Sequence, residues 1–240
     1  VARPTVAELY RWYASLTGRR TARAIAALIA PSVSPNATSR VLGFGYAAPL
    51  LMGLDPTRVE RLALAMPGEQ GAHRWPGSRP NCALAVSHNN LPFGDSLFDT
   101  VVLIHALEFA GRPHRLLREL WRVMAPAGRL VVVVPNRIGI WTHFEDNPFG
   151  AGRPYSRGQL AKLLTEAMFD VTAERTALPA LPGPWGHAVN LVGGALAPGL
   201  GGVRLAVAMK ADGARPVMVG KAVPVGAAVR APEASPEAAN

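Results

Sequence analysis

His105 directly follows the apolar run Val101 to Ile104, where a buried strand gives way to polar chain. Histidine exchanges a proton near neutral pH, so a histidine at a strand end suits general acid–base work. That makes His105 the candidate catalytic base; the plainer alternative is a histidine bonded to a backbone carbonyl. His88 and His143 are further candidates, in a polar loop and in a long connection. That connection begins at Pro135-Asn136 and mixes Arg137, Trp141, His143, Arg153 and Tyr155. Long loops of this kind at the ligand edge of a sheet bind substrate, and arginine grips carboxylates or phosphates. A structural loop, with Trp141 and Phe149 plugging the core, is the other reading. The stretch Arg40 to Leu51 reads as a short strand, the turn Gly43-Phe44-Gly45-Tyr46-Ala47 and a helix. Glycine lets the backbone approach a ligand, and a following helix start offers unpaired N–H groups; a tight turn without a ligand fits equally. The six histidines are scattered and no His/Cys/Asp spacing forms a ligand set, so no metal site is expected. No Gly-x-Ser-x-Gly elbow is present, which disfavours an α/β-hydrolase.

The elements that must position these residues are legible as runs. Leu91 to Asn136 reads as strand, helix, strand: Val101 to Ile104, Pro113 to Met124, then Leu130 to Val134, with Ala125-Pro126-Ala127-Gly128 ending the helix. Short β-branched runs suit strands buried on both faces of a parallel sheet, and the unit places the chain among α/β folds. Thr5 to Ala30 is helical in pattern, with Thr5 and Glu8 at capping-box spacing and Gly18 a candidate break. Arg58 to Met66, Asn81 to Val86, Phe169 to Leu178 and Val203 to Lys210 are further strands, and Tyr155 to Met168 is a helix capped by Ser156. Leu181 to Gly202 is rich in Pro and Gly and reads as loop or broken helix.

The 240 residues suit one α/β domain with a terminal extension. At 49% hydrophobic and 17% charged, the chain can bury a sizeable core. The formal net charge of +9 admits nucleic acid as a partner, but no dense Lys/Arg block supports that. Cys82 is the single cysteine, which suits a reducing cytoplasm and a buried small side chain. No apolar run reaches membrane-spanning length. The division expected is a helical N-terminal extension over 1–35, a main domain over 36–212, and a tail over 213–240 too poor in pattern to order.

The wording of the central unit carries a resemblance. Asn89 to Phe109 contains Leu91-Pro92-Phe93-Gly94-Asp95-Ser96-Leu97-Phe98-Asp99, and Arg115 to Asn136 contains Arg122-Val123-Met124-Ala125-Pro126-Ala127-Gly128. Together with the element order, these stretches resemble the class I S-adenosylmethionine-dependent methyltransferases, specifically the small-molecule type 11 group. The resemblance implies a Rossmann-like three-layer sandwich around a seven-stranded, mostly parallel sheet in the order 3-2-1-4-5-7-6, its last strand antiparallel. It implies S-adenosylmethionine as cofactor and methyl transfer to a small-molecule acceptor. It also implies cofactor contacts at the strand-one turn (Gly43, Phe44, Gly45, Tyr46, Ala47), the strand-two end (Met66), the strand-three end (Ser87, His88, Asn89, Leu91) and the strand-four end (Ile104).

The sequence departs from that pattern at the grip. Gly43 stands where an acid is usual, Ala47 and Pro49 replace two glycines, Ala65-Met66-Pro67 lacks the ribose-binding acid, and Ser87 replaces the acid that meets adenine. A neutral acceptor forgoes a charge-assisted hydrogen bond. The alternative is therefore a methyltransferase fold that has lost the reaction and serves as a binding or regulatory partner.

Overall fold

The computed structural model describes residues 3–33, 36–77, 79–144, 146–178 and 201–211. The predicted loop at 181–200 and the predicted tail lie outside the described residues. Seven strands form one sheet: β1 (Arg40–Gly45), β2 (Arg61–Pro67), β3 (Ala83–Val86), β4 (Phe98–Ile104), β5 (Met124–Pro135), β6 (Phe169–Ala177) and β7 (Val203–Lys210). Their order is β3-β2-β1-β4-β5-β7-β6. β3 to β5 pair in parallel, whereas β7 runs antiparallel to both β5 and β6. This is the Rossmann-like sandwich and strand order that the family resemblance implies.

The strand patterns explain why both faces are covered. Along β4 and β5, alternate side chains enter two separate cores. Val102, Ile104, Val131 and Val133 point to one face, and Val101, Leu103, Leu130 and Val132 to the other. Parallel strands flanked by helices need apolar residues on both sides. The second face is closed by α4 (Pro113–Val123), through Leu116, Leu117 and Leu120, and by α5 (Arg157–Glu166), through Leu160 and Leu164. The first face is closed from the N-terminus, by α1 (Val6–Ala14) and α2 (Leu16–Val33).

Several boundaries differ from the sequence reading. The helical N-terminus breaks at Ser15, whose hydroxyl donates to Trp12 O at 2.6 Å, rather than at Gly18. Gly18 is needed for packing, since a Cβ there would stand 2.1 Å from Trp12 O. α4 stops at Val123, but β5 already begins at Met124; Ala125 to Gly128 belongs to its run, with Ala127 at φ 55°. β2 starts at Arg61, because Pro56–Arg58 forms a 3-10 turn capped by the Asp55 carboxylate. The helix expected after the glycine turn shrinks to one turn, α3 (Ala48–Leu51). Cys82 is half-buried at the entry to β3 rather than in the core. The capping boxes at Thr5/Glu8 and Ser156/Gln159 both form.

Candidate active site

In open α/β sheets, ligands settle outside the carboxyl ends of the strands, where the strand order reverses. Here that edge lies between β1 and β4. The chain turns after β1 through Gly45 at φ 81°, and the Tyr46 N–H donates to Ile104 O at 3.0 Å. A Cβ on Gly45 would stand 2.0 Å from that same carbonyl, so only glycine permits this approach. β1 and β4 thus meet at their ends with no room for a side chain between them.

The residue after β4 is His105. It is fully buried and adopts φ 54°, a left-handed conformation uncommon outside glycine. Its carbonyl accepts from the Gln70 amide at 3.3 Å. Its Nε2 lies 2.8 Å from the Tyr13 hydroxyl, delivered by α1 from 92 residues away. On its other side Nδ1 faces Glu108 Oε1 at 3.5 Å. Burial pushes the Tyr13 phenol well above its ordinary pKa, and the nearby Glu108 and Tyr46 add to this. With the phenol donating, His105 Nε2 is the acceptor and the imidazole proton sits on Nδ1, toward Glu108; the opposite tautomer would reverse the bond. The order is Tyr13, His105, Glu108.

The Glu108 carboxyl is itself buried, and neither oxygen makes a hydrogen bond among the described residues. Gln70 Oε1 and His105 Nδ1 are likewise buried without a hydrogen-bond partner among the described residues. Unsatisfied groups of this kind are costly and tend to gather where a ligand or a reaction uses them. Gly152, at φ 80°, lets the following loop close over Glu108, since a Cβ would meet Glu108 Cγ at 2.9 Å.

The N-terminal segment roofs this edge. Val6 N–H donates to Gln70 O at 2.8 Å. Arg3 pairs with Glu69 at 3.0 Å and donates to Phe109 O at 3.1 Å, joining the end of β2 to the end of β4. Aromatic rings fill in beneath: Tyr13 stacks on Tyr46 at 5.7 Å, and Phe149 tilts against His105 at 4.8 Å.

The sequence-predicted residues separate into three groups. Gly45 and Tyr46 form the turn just described, and Ser87, His88 and Asn89 stand at the β3 end, with His88 Nε2 3.8 Å from Glu69. Met66, Ala47 and Ile104 are buried in the core under α2, and Phe44 and Leu91 in the core under α4. Gly43 serves packing, with Leu51, Leu64 and Ala47 within 2.9 Å of where its Cβ would be. The long connection does not converge. Trp141 is buried on the α2 side, and Tyr155 on the α4 side, where its hydroxyl donates to Leu107 O at 3.3 Å. Arg137 and His143 are exposed, and Arg153 lies over the Tyr155 ring at 5.8 Å. Among the described residues, no His, Cys, Asp and Glu side chains gather in a metal-holding group.

Sequence reasoning missed Tyr13, Gln70 and Glu108. Glu108 carried a signal, three residues after His105. Gln70 stands next to Glu69, the nearest acid after β2. Tyr13 carried none, because it fits the apolar stripe of an amphipathic helix.

Residues 54–132 match the family model described as a methyltransferase domain. No curated protein matches the chain. Among solved structures, an S-adenosylmethionine-dependent methyltransferase of Thermotoga maritima is 20% identical, with 85% of this chain and 95% of that chain covered and a TM-score of 0.62. One from Archaeoglobus fulgidus is 15% identical, with 83% and 96% covered and a TM-score of 0.57. The 1,6-didemethyltoxoflavin-N1-methyltransferase of Burkholderia thailandensis, with 1,6-didemethyltoxoflavin and S-adenosylhomocysteine bound, is 15% identical, with 86% and 85% covered and a TM-score of 0.55. The family model thus matches the part of the sheet that β2 to β5 build, and the solved structures share the fold of the whole sheet.

Proposed function

We propose that the chain transfers a methyl group from S-adenosylmethionine to a small-molecule acceptor, with Tyr13, His105 and Glu108 handling the acceptor's proton. The observation that carries this reading is the buried chain from Tyr13 through His105 to Glu108 at the β1/β4 edge.

The fit to the cofactor rests on the orphaned polar atoms of that edge. Gln70 Oε1, three residues past β2, is a buried acceptor without a donor among the described residues, and a ribose hydroxyl would supply one. It takes the place of the usual acid, as a neutral acceptor. The Gly45–Tyr46 turn allows close backbone approach, and Ser87, His88 and Asn89 offer polar contacts at the β3 end. When bound, the cofactor supplies an electrophilic methyl on a sulfonium. The Arg3–Glu69 and Val6–Gln70 contacts must loosen to admit it, so the N-terminal helix acts as the cover.

The protein's part in the chemistry is orientation and proton handling. Tyr13 Oη, already donating to His105, keeps lone pairs free to accept from an acceptor O–H or N–H. As that proton arrives, the phenol's own proton passes to His105 Nε2. The resulting imidazolium faces Glu108, whose charge it offsets. Burial under Phe149 and Trp12 keeps water from competing.

Calorimetric titration with S-adenosylmethionine and S-adenosylhomocysteine tests the reading. Saturable binding that Gln70→Ala weakens supports it; no binding at millimolar ligand overturns it.

A further inference from the structure

A second feature lies on the other side of the strand-one turn. A cavity of about 800 Å³ runs between α2 and the α3 turn. One wall is a single stripe of α2: Arg19, Ala22, Arg23, Ala26, Ile29, Ala30 and Val33 recur at three- and four-residue spacing. From Arg19 to Val33 that stripe is about 21 Å long at 1.5 Å per residue. The opposite wall is apolar, from Leu50, Leu51 and Leu54 to Trp75. The space exists because α3 is one turn long. Met52, 72% exposed, stands at the mouth. Of the residues at the strand ends, only Tyr13 and Tyr46 also line this cavity.

The polar groups collect at one end. α2 begins at the carboxyl edge of the sheet and reaches the opposite edge at Ser32, whose carbonyl accepts from Arg129 at 3.0 Å. Tyr10, Tyr13, Tyr46 and His73 therefore line the carboxyl-edge end, together with Arg19 and Arg23 from the first turns of α2, and the alanine, valine and leucine walls lead away from it. One polar atom at this end is buried without a hydrogen-bond partner among the described residues, His73 Nε2. Tyr46, 2% exposed, lines the cavity beside it. The rings of the two residues are 5.7 Å apart.

Their chemistry specifies what is missing. His73 Nδ1 lies 2.9 Å from Arg74 O, and a carbonyl can only accept. Nδ1 therefore carries the proton, and Nε2 of the neutral ring is an acceptor. Burial raises the Tyr46 pKa, so its hydroxyl stays protonated and is a donor. One donor and one acceptor side by side suit a group that also donates and accepts, which is a hydroxyl.

We propose that this cavity is a binding site for an elongated, apolar alcohol or phenol, its hydroxyl held between Tyr46 and His73 and its hydrocarbon body laid along α2. The site does not depend on the methyl-transfer reading, because it is defined by binding alone.

The test uses the full chain and three probes of equal length: 4-octylphenol, octylbenzene and 4-octylbenzoate, titrated at neutral pH by calorimetry and by fluorescence of the lining Trp75. Expected is saturable binding of 4-octylphenol, at least tenfold tighter than octylbenzene; tightest binding of 4-octylbenzoate overturns the proposal, since Arg19 and Arg23 would then be holding an anion. Tyr46→Phe, which keeps the ring, brings 4-octylphenol down to the affinity of octylbenzene. Ala26→Trp, which fills the α2 wall, abolishes binding of all three, with circular dichroism confirming that both variants are folded. Equal binding of all three probes, no binding, or binding unchanged by Ala26→Trp overturns the proposal. Titration with S-adenosylmethionine is run in parallel. Cofactor binding without 4-octylphenol binding removes only this site; the reverse removes only the methyl-transfer reading.

Discussion

Tyr13 Oη sits 2.8 Å from Nε2 of His105, and this bond joins the first helix to the end of the central strand. It links the roof of the edge to its floor, and makes the N-terminal helix part of the site. Replacing Tyr13 by Phe leaves the packing against Tyr46 intact but strands a buried nitrogen. The expected cost in stability is about 1–3 kcal/mol, read from urea unfolding. In a methyl-transfer assay the turnover falls by about 10²-fold, with affinity for S-adenosylhomocysteine unchanged. Loss of affinity without loss of turnover at saturation would show that Tyr13 only shapes the pocket.

Glu108 moves the two readouts in opposite directions. Its carboxyl is buried with no hydrogen bond to either oxygen among the described residues, an arrangement that burdens the fold. Glu108→Gln keeps the shape and removes the charge that an imidazolium at His105 needs. The thermal midpoint stays level or rises, while turnover falls. A variant that loses stability and keeps its rate would place Glu108 in the scaffold rather than the proton path.

Gly45→Ala is predicted to be among the most damaging single-methyl additions in the chain. The backbone stands at φ 81°, and the new Cβ would be 2.0 Å from Ile104 O. The left-handed conformation alone costs about 1–2 kcal/mol for a non-glycine residue, and the contact with β4 adds to it. Gly77→Ala, where nothing lies within 4 Å, is the control. Near-wild-type stability of Gly45→Ala would mean that the β1 and β4 ends are not closed against each other in solution.

Acid should weaken the fold through two carboxylates. Hydrogen bonds from the Arg40 side chain hold Asp99 below its ordinary range. Burial raises the Glu119 pKa, but bonds from Arg122 and from the Leu91 N–H outweigh it and leave the net shift downward. Both folded pKa values lie below the unfolded ones, so their contribution is present above pH ~4 and is lost as pH falls through the folded values. Unfolding free energy measured from pH 6 down to pH 2 should fall with a slope that Asp99→Asn reduces. Because Asp99 and Arg40 are partly exposed, salt should reduce the effect too.

Much of the architecture could be read before any coordinates. Short β-branched runs and the helix read between Pro113 and Met124 specify parallel strands buried on two faces, while the seven-strand order came only from the family resemblance of the stretch Leu91 to Asn136. The runs and the helix are local periodicities, and local periodicity is what a sequence displays. His105 was legible for the same reason, as the first polar residue after an apolar strand.

What folding alone decided is who meets His105. Tyr13 reads as one more position on an apolar helix face, and its hydroxyl has a role only because α1 packs across the strand ends. Trp141 and Tyr155 read as neighbours in one aromatic loop, yet the sheet passes between them and puts them in opposite cores. The one-turn α3 leaves space along α2 that no periodicity announces. Side-chain type and spacing determine which residues are buried and which could carry a proton. Whether two of them touch across 92 positions depends on how helices seat on the sheet, and that is settled by packing over the whole molecule.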